Sequence, residues 1–165
     1  MKKRFVLNST PFILFSKINR LDLMNIMGEV LTTPNVLREV LEEKDIPDIE
    51  RRALERFFKE RVNIRKSSHD TTFDLGEGES SAISIAVEEK AIFVSDDKKA
   101  RNTAKMFSLN VTGTIGIVLL NLKKKKITSR EAKEILNVLI SKSYRLSIEA
   151  YSKVLDEINK ESKQP

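Results

Sequence analysis

The residues best suited to chemistry lie between Asp74 and Gly116. Glu77 and Glu79 stand at the start of an apolar-periodic segment, and the short apolar run from Ala91 to Val94 stops at Ser95-Asp96-Asp97. Acids at such positions supply the charged oxygens that a hard divalent cation takes as ligands. In an open α/β sheet the strand ends border one crevice where ligands bind, so acids at a strand end and at a helix start can share a site. A solvated helix would instead spread its acids along the exposed face and balance them with basic residues four positions on.

Composition narrows the chemistry. The chain has 165 residues, 40% hydrophobic and 33% charged, which suits a single domain with one sizeable core. It has no cysteine, which excludes disulfides, thiolate catalysis and thiolate metal sites. Its single histidine, His69, excludes histidine-rich zinc sites. A metal here is held by oxygen, which favours magnesium, manganese or calcium. No apolar run reaches the ~20 residues of a membrane-spanning helix. The apolar part of the basic start, Phe5-Val6-Leu7, ends at Asn8 and is too short for a signal peptide. The expectation is a cytoplasmic protein that engages no membrane.

The net charge of +6 is unevenly spread: residues 121–165 carry 11 basic and 6 acidic side chains, and the rest of the chain is nearly neutral. The basic excess centres on Lys123, Lys124, Lys125 and Lys126. Such a tail can hold a polyanion by releasing counterions; a solvated loop between two helices explains it equally.

The elements that must position the acids read as short strands alternating with helices. Arg4–Leu7, Val30–Leu31, Val62–Ile64 and Ile92–Val94 are short apolar runs bounded by turn residues. Asn8-Ser9-Thr10-Pro11 breaks the first strand and offers Ser9 or Thr10 as an N-cap, with Pro11 suited to a first helical turn, and Thr32-Thr33-Pro34 closes the second strand. Helices are expected after an N-cap at Ser9 or Thr10, after Pro34, from Pro47 to Phe58, from Glu77 to Glu89, from Lys98 to Leu109, and over 129–141 and 147–161. The stretch 66–74 is polar and turn-like. The alternation implies βαβ units: an α/β, three-layer fold whose mainly parallel sheet of about four or five strands is flanked by helices. The whole chain, 1–165, reads as one domain, with the helices of about 129–161 packed on it or extending it.

Five ordered segments resemble a known family. Leu7-Asn8-Ser9-Thr10-Pro11-Phe12-Ile13 stands where that family's first strand ends in D-T-S-P-L-I, and Pro34-Asn35-Val36-Leu37-Arg38-Glu39 matches its proline followed by a helical glutamate. Leu75-Gly76-Glu77-Gly78-Glu79-Ser80-Ser81-Ala82-Ile83 matches L-G-E-x-E-A-I. Asp96-Asp97-Lys98-Lys99-Ala100-Arg101 and Val111-Thr112-Gly113-Thr114-Ile115-Gly116 match D-D-x-x-A-R and V-T-G-T-x-G. The chain is similar to PIN domains, near the small prokaryotic branch related to the VapC toxins.

The resemblance implies a metal-dependent ribonuclease using Mg²⁺ or Mn²⁺, with RNA as substrate, a small antitoxin protein as partner, and a homodimer as the assembly. It carries catalytic roles onto Glu39, Glu79 and Asp97. The metal set falls on Asn8, Glu39, Glu79 and Asp97, with Asp96 as the alternative to Asp97. Asp97 is favoured because Ser95 then takes the hydroxyl position two before the acid. Ser9, Glu77 and Ser95 become supporting groups; Lys98, Arg101 and the four lysines 123–126 become RNA contacts. One position departs from the pattern: Asn8 replaces an aspartate. Its amide oxygen can ligate a hard cation but brings no charge, so the resemblance implies weaker metal affinity and impaired chemistry. A catalytically inactive fold that binds RNA or protein is the alternative.

Other motif classes fail. The chain holds no G-x-G-x-x-G and no Walker A segment, no nucleophile elbow to accompany His69, and no aromatic platform interleaved with the basic tail.

Overall fold

The computed structural model describes residues 2–69 and 71–164. The elements, in order, are β1 (Arg4–Leu7), α1 (Ser9–Lys17), a 3-10 helix (Leu21–Ile26), β2 (Glu29–Thr32), α2 (Pro34–Glu42), α3 (Asp48–Arg61) and β3 (Val62–Ile64). Then follow α4 (Glu77–Glu88), β4 (Ile92–Val94), α5 (Lys98–Met106), β5 (Val111–Thr112), α6 (Thr114–Lys123), α7 (Ser129–Ser141) and α8 (Ile148–Ser162). The polar stretch 66–74 carries no helix or strand at its described positions, and Asp70 lies outside the described residues.

All strand pairs are parallel, in the order β3-β2-β1-β4-β5. The sheet thus has five strands, at the top of the expected range. Strands buried on both faces read as continuous apolar runs, and Phe5, Val6, Leu7, Val30, Leu31, Phe93 and Val94 are all buried. The order reverses at β1, which pairs with β2 on one side and β4 on the other. Such a switch point opens a crevice beyond the carboxyl ends of the two strands. Asn8 follows β1 there, and Ser95 follows β4.

Local chemistry closes most helices. Thr33 caps α2 by accepting from the Val36 N–H, Asp97 caps α5, and Ser147 caps α8. Asp48 and Glu50 open α3 while Lys59 and Arg61 close it, each matching the helix dipole. Gly28 enters β2 where a Cβ would run into the backbone carbonyl of Lys3, so the approach of β2 to the start of β1 requires glycine. The pair Phe57–Phe58 and Met24 with Met27 belong to the buried core, as their apolar patterning suggests.

The chain divides into two units, residues 1–114 and 115–165. The first holds the sheet and α1–α5. In the second, α7 and α8 pack together: Ser129 Oγ donates to the Ile158 carbonyl at 3.4 Å and Tyr151 OH to Asn137 Oδ1 at 3.3 Å. No helix among the described residues is long and apolar enough to cross a membrane.

Candidate active site at the sheet switch point

The site begins with Asn8, 4% exposed, which links β1 to α1. Its Oδ1 accepts the Ser9 N–H at 2.9 Å, capping α1, and this turns the amide nitrogen the other way. Nδ2 donates to Ser95 Oγ at 3.4 Å and acts as a hydrogen-bond donor to the Glu79 carboxylate. Ser95 is fully buried and also accepts the Asp97 N–H at 3.2 Å, so one hydroxyl ties the end of β1 to the end of β4.

One carboxylate, Glu79, meets this amide, and two more, Asp97 and Glu39, act on Glu79 through their charge. Glu79, in the first turn of α4, accepts the Gly76 N–H at 3.2 Å and is partly buried. Asp97 accepts the Ala100 N–H at 2.7 Å while lying exposed, and Glu39 reaches in from α2. A Cβ on Gly78 would lie 2.8 Å from the Glu39 carboxyl carbon, so the bare glycine leaves room for that group against α4. None of these three acids has an ion-pair partner among the described residues. Burial pushes the Glu79 carboxyl above the usual range. The Gly76 N–H pulls it back, the Asp97 and Glu39 charges push it up, and the Asn8 amide offsets them in part.

That shift fixes a sign. Glu79 keeps its proton in the fold at a pH where the unfolded chain, with a carboxyl near 4.5, has lost it. Its favourable contribution is complete below that value and is lost as pH rises through the folded one. Glu79→Gln should therefore flatten the fall in melting temperature between mildly acidic and neutral pH. A slope equal to that of the native protein would refute the burial argument.

The neighbouring acids divide in role. Asp96 points away from this group: its Oδ1 accepts the Thr114 N–H at 2.9 Å and its Oδ2 the Thr114 hydroxyl at 2.5 Å. Arg101 Nη1 donates to the Ser95 carbonyl at 3.2 Å, and a Cβ on Gly113 would lie 2.6 Å from Asp96 Oδ1 and 2.9 Å from that Arg101 nitrogen. The V-T-G-T turn can close on the end of β4 only because residue 113 has no side chain. Arg101 is half-buried in this bracing, whereas Lys98 is exposed beside the acids. Glu77 is exposed and lines a neighbouring groove. Ser9 opens α1, half-buried. Lys123, Lys124, Lys125 and Lys126 lie exposed in the second unit, at the end of α6 and in the turn before α7.

The donor set suits a hard cation in kind and charge: oxygen acids that repel one another and lack cationic partners. It falls short in closure, since no three acidic or histidine side chains among the described residues are drawn together closely enough to hold one ion. Asn8 as placed turns a donor, not a ligand oxygen, toward the acids. The motifs carried no signal for two further contributions: the space at Gly78 for Glu39, and the basic groove lined by Arg38, Arg65 and Lys66.

A parallel five-stranded α/β sheet with acids around its switch point defines a class of crevice-binding proteins. The chain belongs to the PIN domain family, whose model matches residues 4–160. No curated protein matches the sequence. Among solved structures the chain is similar to a PilT N-terminus domain protein from the hyperthermophilic archaeon Sulfolobus solfataricus P2. That match has 18% identity over 69% of this chain and 89% of the other, at a TM-score of 0.48. It is also similar to VapBC2 from Rickettsia felis, solved bound to a DNA fragment from their promoter. There the identity is 16% over 67% of this chain and 98% of the other, again at a TM-score of 0.48.

Proposed function

We propose that this protein is a PIN-type ribonuclease dependent on Mg²⁺ or Mn²⁺, in which Glu39, Glu79 and Asp97 hold the cation. The observation that carries the reading is the electrostatic one. Glu79 feels the charges of Asp97 and Glu39, none of the three has an ion-pair partner among the described residues, and their repulsion helps push Glu79 upward, so a cation would draw the three together. A bound divalent ion supplies the activated water and the charge stabilisation that phosphodiester hydrolysis needs. Around it, Asn8 holds Glu79 through its amide and stays outside the ligand set, Ser95 fixes the spacing of Asn8 and Asp97, and Asp96 closes the turn at Thr114. Lys98 draws the RNA toward the acids by long-range attraction, and the lysines of 123–126 in the second unit are further RNA contacts. A role as the toxin of a toxin–antitoxin pair, with a small antitoxin covering the acids and a homodimer as the working form, accompanies the family assignment.

The second reading, a PIN fold that binds RNA or protein without cutting, is favoured by Asn8 alone, which removes one formal charge from the site.

Cleavage of a mixed single-stranded RNA pool with Mn²⁺ tests the first reading, with Asp97→Asn and Asp97→Ala beside the native protein. Asp97→Asn keeps an acceptor for the Ala100 N–H and removes the charge; it should lose at least about a hundredfold in rate, the scale of removing a transition-state charge partner, at unchanged stability. Asp97→Ala should lose the same activity and also about 1 kcal/mol of stability, the usual worth of an N-cap. Full activity in Asp97→Asn would overturn the assignment.

A further inference from the structure

Next to the acids, within the first unit, runs a separate groove of about 680 Å³ between α2, α4 and the segment after β3. We propose that this groove is the seat of the RNA backbone, holding phosphates through Arg38, Arg65 and Lys66; the inference rests on the nuclease reading above and names where its substrate lies. All three basic side chains are exposed. Arg65 stands 4.0 Å from Glu89, and neither Arg38 nor Lys66 forms an ion pair among the described residues. Glu77 is the acid on the lining.

The floor explains the choice of ligand. Thr33, Ser80, Ser81 and Ser84 line it, and three of their hydroxyls are committed within the protein: Thr33 with Ser81 at 2.7 Å, Ser81 to the Gly78 carbonyl, Ser84 to the Ser80 carbonyl. A floor of small side chains lets a strand lie close. Among the described residues no Phe, Tyr or Trp lines the groove and His69 is its one aromatic ring, so the basic side chains make phosphate the main point of recognition. Position does the rest. Arg38 precedes Glu39 on α2, and Ser80 follows Glu79 on α4, so the two helices that bring acids to the crevice also carry the groove's walls. A strand held by Arg38 and Lys66 runs alongside Glu39 and Glu79.

The test measures binding of a labelled, unstructured single-stranded RNA over a series of sodium chloride concentrations, in EDTA so that cleavage plays no part. The native protein is compared with Arg38→Gln/Lys66→Gln and with Lys59→Gln/Arg61→Gln. The second pair removes the same charge at the opposite end of the sheet, where Lys59 and Arg61 line another depression near the start of β2. Each phosphate contact on a single strand contributes about 0.7 to the slope of log K against log salt. The groove variant should therefore lose about 1.4 in slope and about tenfold or more in affinity, and the control pair should match the native protein. Unchanged melting temperatures in both variants certify the fold. Equal losses in the two variants would reduce the effect to overall charge and overturn the groove, as would a native protein that binds no RNA. If the native protein cleaves RNA with Mn²⁺ but binds it as well as the groove variant does, the groove fails and the nuclease reading stands.

Discussion

Asn8→Asp lowers the stability of the metal-free protein and makes its stability respond to Mn²⁺. In the native chain the residue is buried and its amide nitrogen faces Ser95 and Glu79. Aspartate keeps the acceptor for the Ser9 N–H, and there its charge favours the start of α1. On the other side it exchanges a donor for a second oxygen facing Glu79. The lost hydrogen bond and the new repulsion should cost about 1–3 kcal/mol, the range for a buried polar group left unmatched. A divalent ion reverses the sign, because the acids then share a cation. At a hundredfold excess over its dissociation constant, an ion adds about 2.7 kcal/mol, or about 5–10 °C in melting temperature for a chain of this size. Melting with and without MnCl₂ reads this directly, and RNA cleavage in parallel reads its chemical consequence. Cleavage confined to the aspartate variant would identify the native protein as a binding module on a nuclease frame. A variant indifferent to Mn²⁺ would show that these acids do not form a cation site.

The second large effect concerns what holds Asn8 in place. Phe12 is fully buried in α1, its ring centroid 4.6 Å from that of Phe58 on α3, at an interplanar angle of 38°. This pair fastens α1 to α3, and α1 begins at the residue after Asn8. Phe12→Ala removes a large ring from a packed site and should cost about 3–5 kcal/mol, a large share of the roughly 5–15 kcal/mol that keeps a domain folded. Urea denaturation should show the midpoint falling with little change in slope. A loss under about 1 kcal/mol would mean that α1 is fixed by other contacts.

Most elements could be read from the chain because their causes are local. Val62–Ile64 and Ile92–Val94 are apolar runs closed by polar residues, and α2 announces itself through the apolar spacing of Val36, Leu37, Val40 and Leu41. The acids were legible for the same reason: Glu79 and Asp97 sit at helix starts, where sequence alone marks the position. The helix starting at Lys98 was expected to run to Leu109, but it stops at Met106. Ser108 there adopts a left-handed backbone, φ 59°, and the Leu109 N–H turns back to the Ala104 carbonyl. The boundary between units also falls at 114/115, ahead of the basic run, where no composition change marks it.

Sequence by itself determined the family frame and the strand and helix alternation, and it nominated the acids at 39, 79 and 97 as candidates, because periodicity, caps and ordered motifs act over a few residues. Tertiary structure alone decided how these groups are used. Asp96 and Asp97 are chemically identical neighbours. Yet Asp96 turns to Thr114, 18 residues along the chain, while Asp97 caps its own helix and bears on Glu79. Asn8 turns its amide nitrogen to Ser95 and Glu79 because α1 claims its oxygen. Arg38, Arg65 and Lys66 share one groove because β3 lies beside β2, which brings residues from two crossovers to the same sheet end. Hydrogen bonds and charges act through space over a few ångströms, and only the folded chain sets which residues fall within that range.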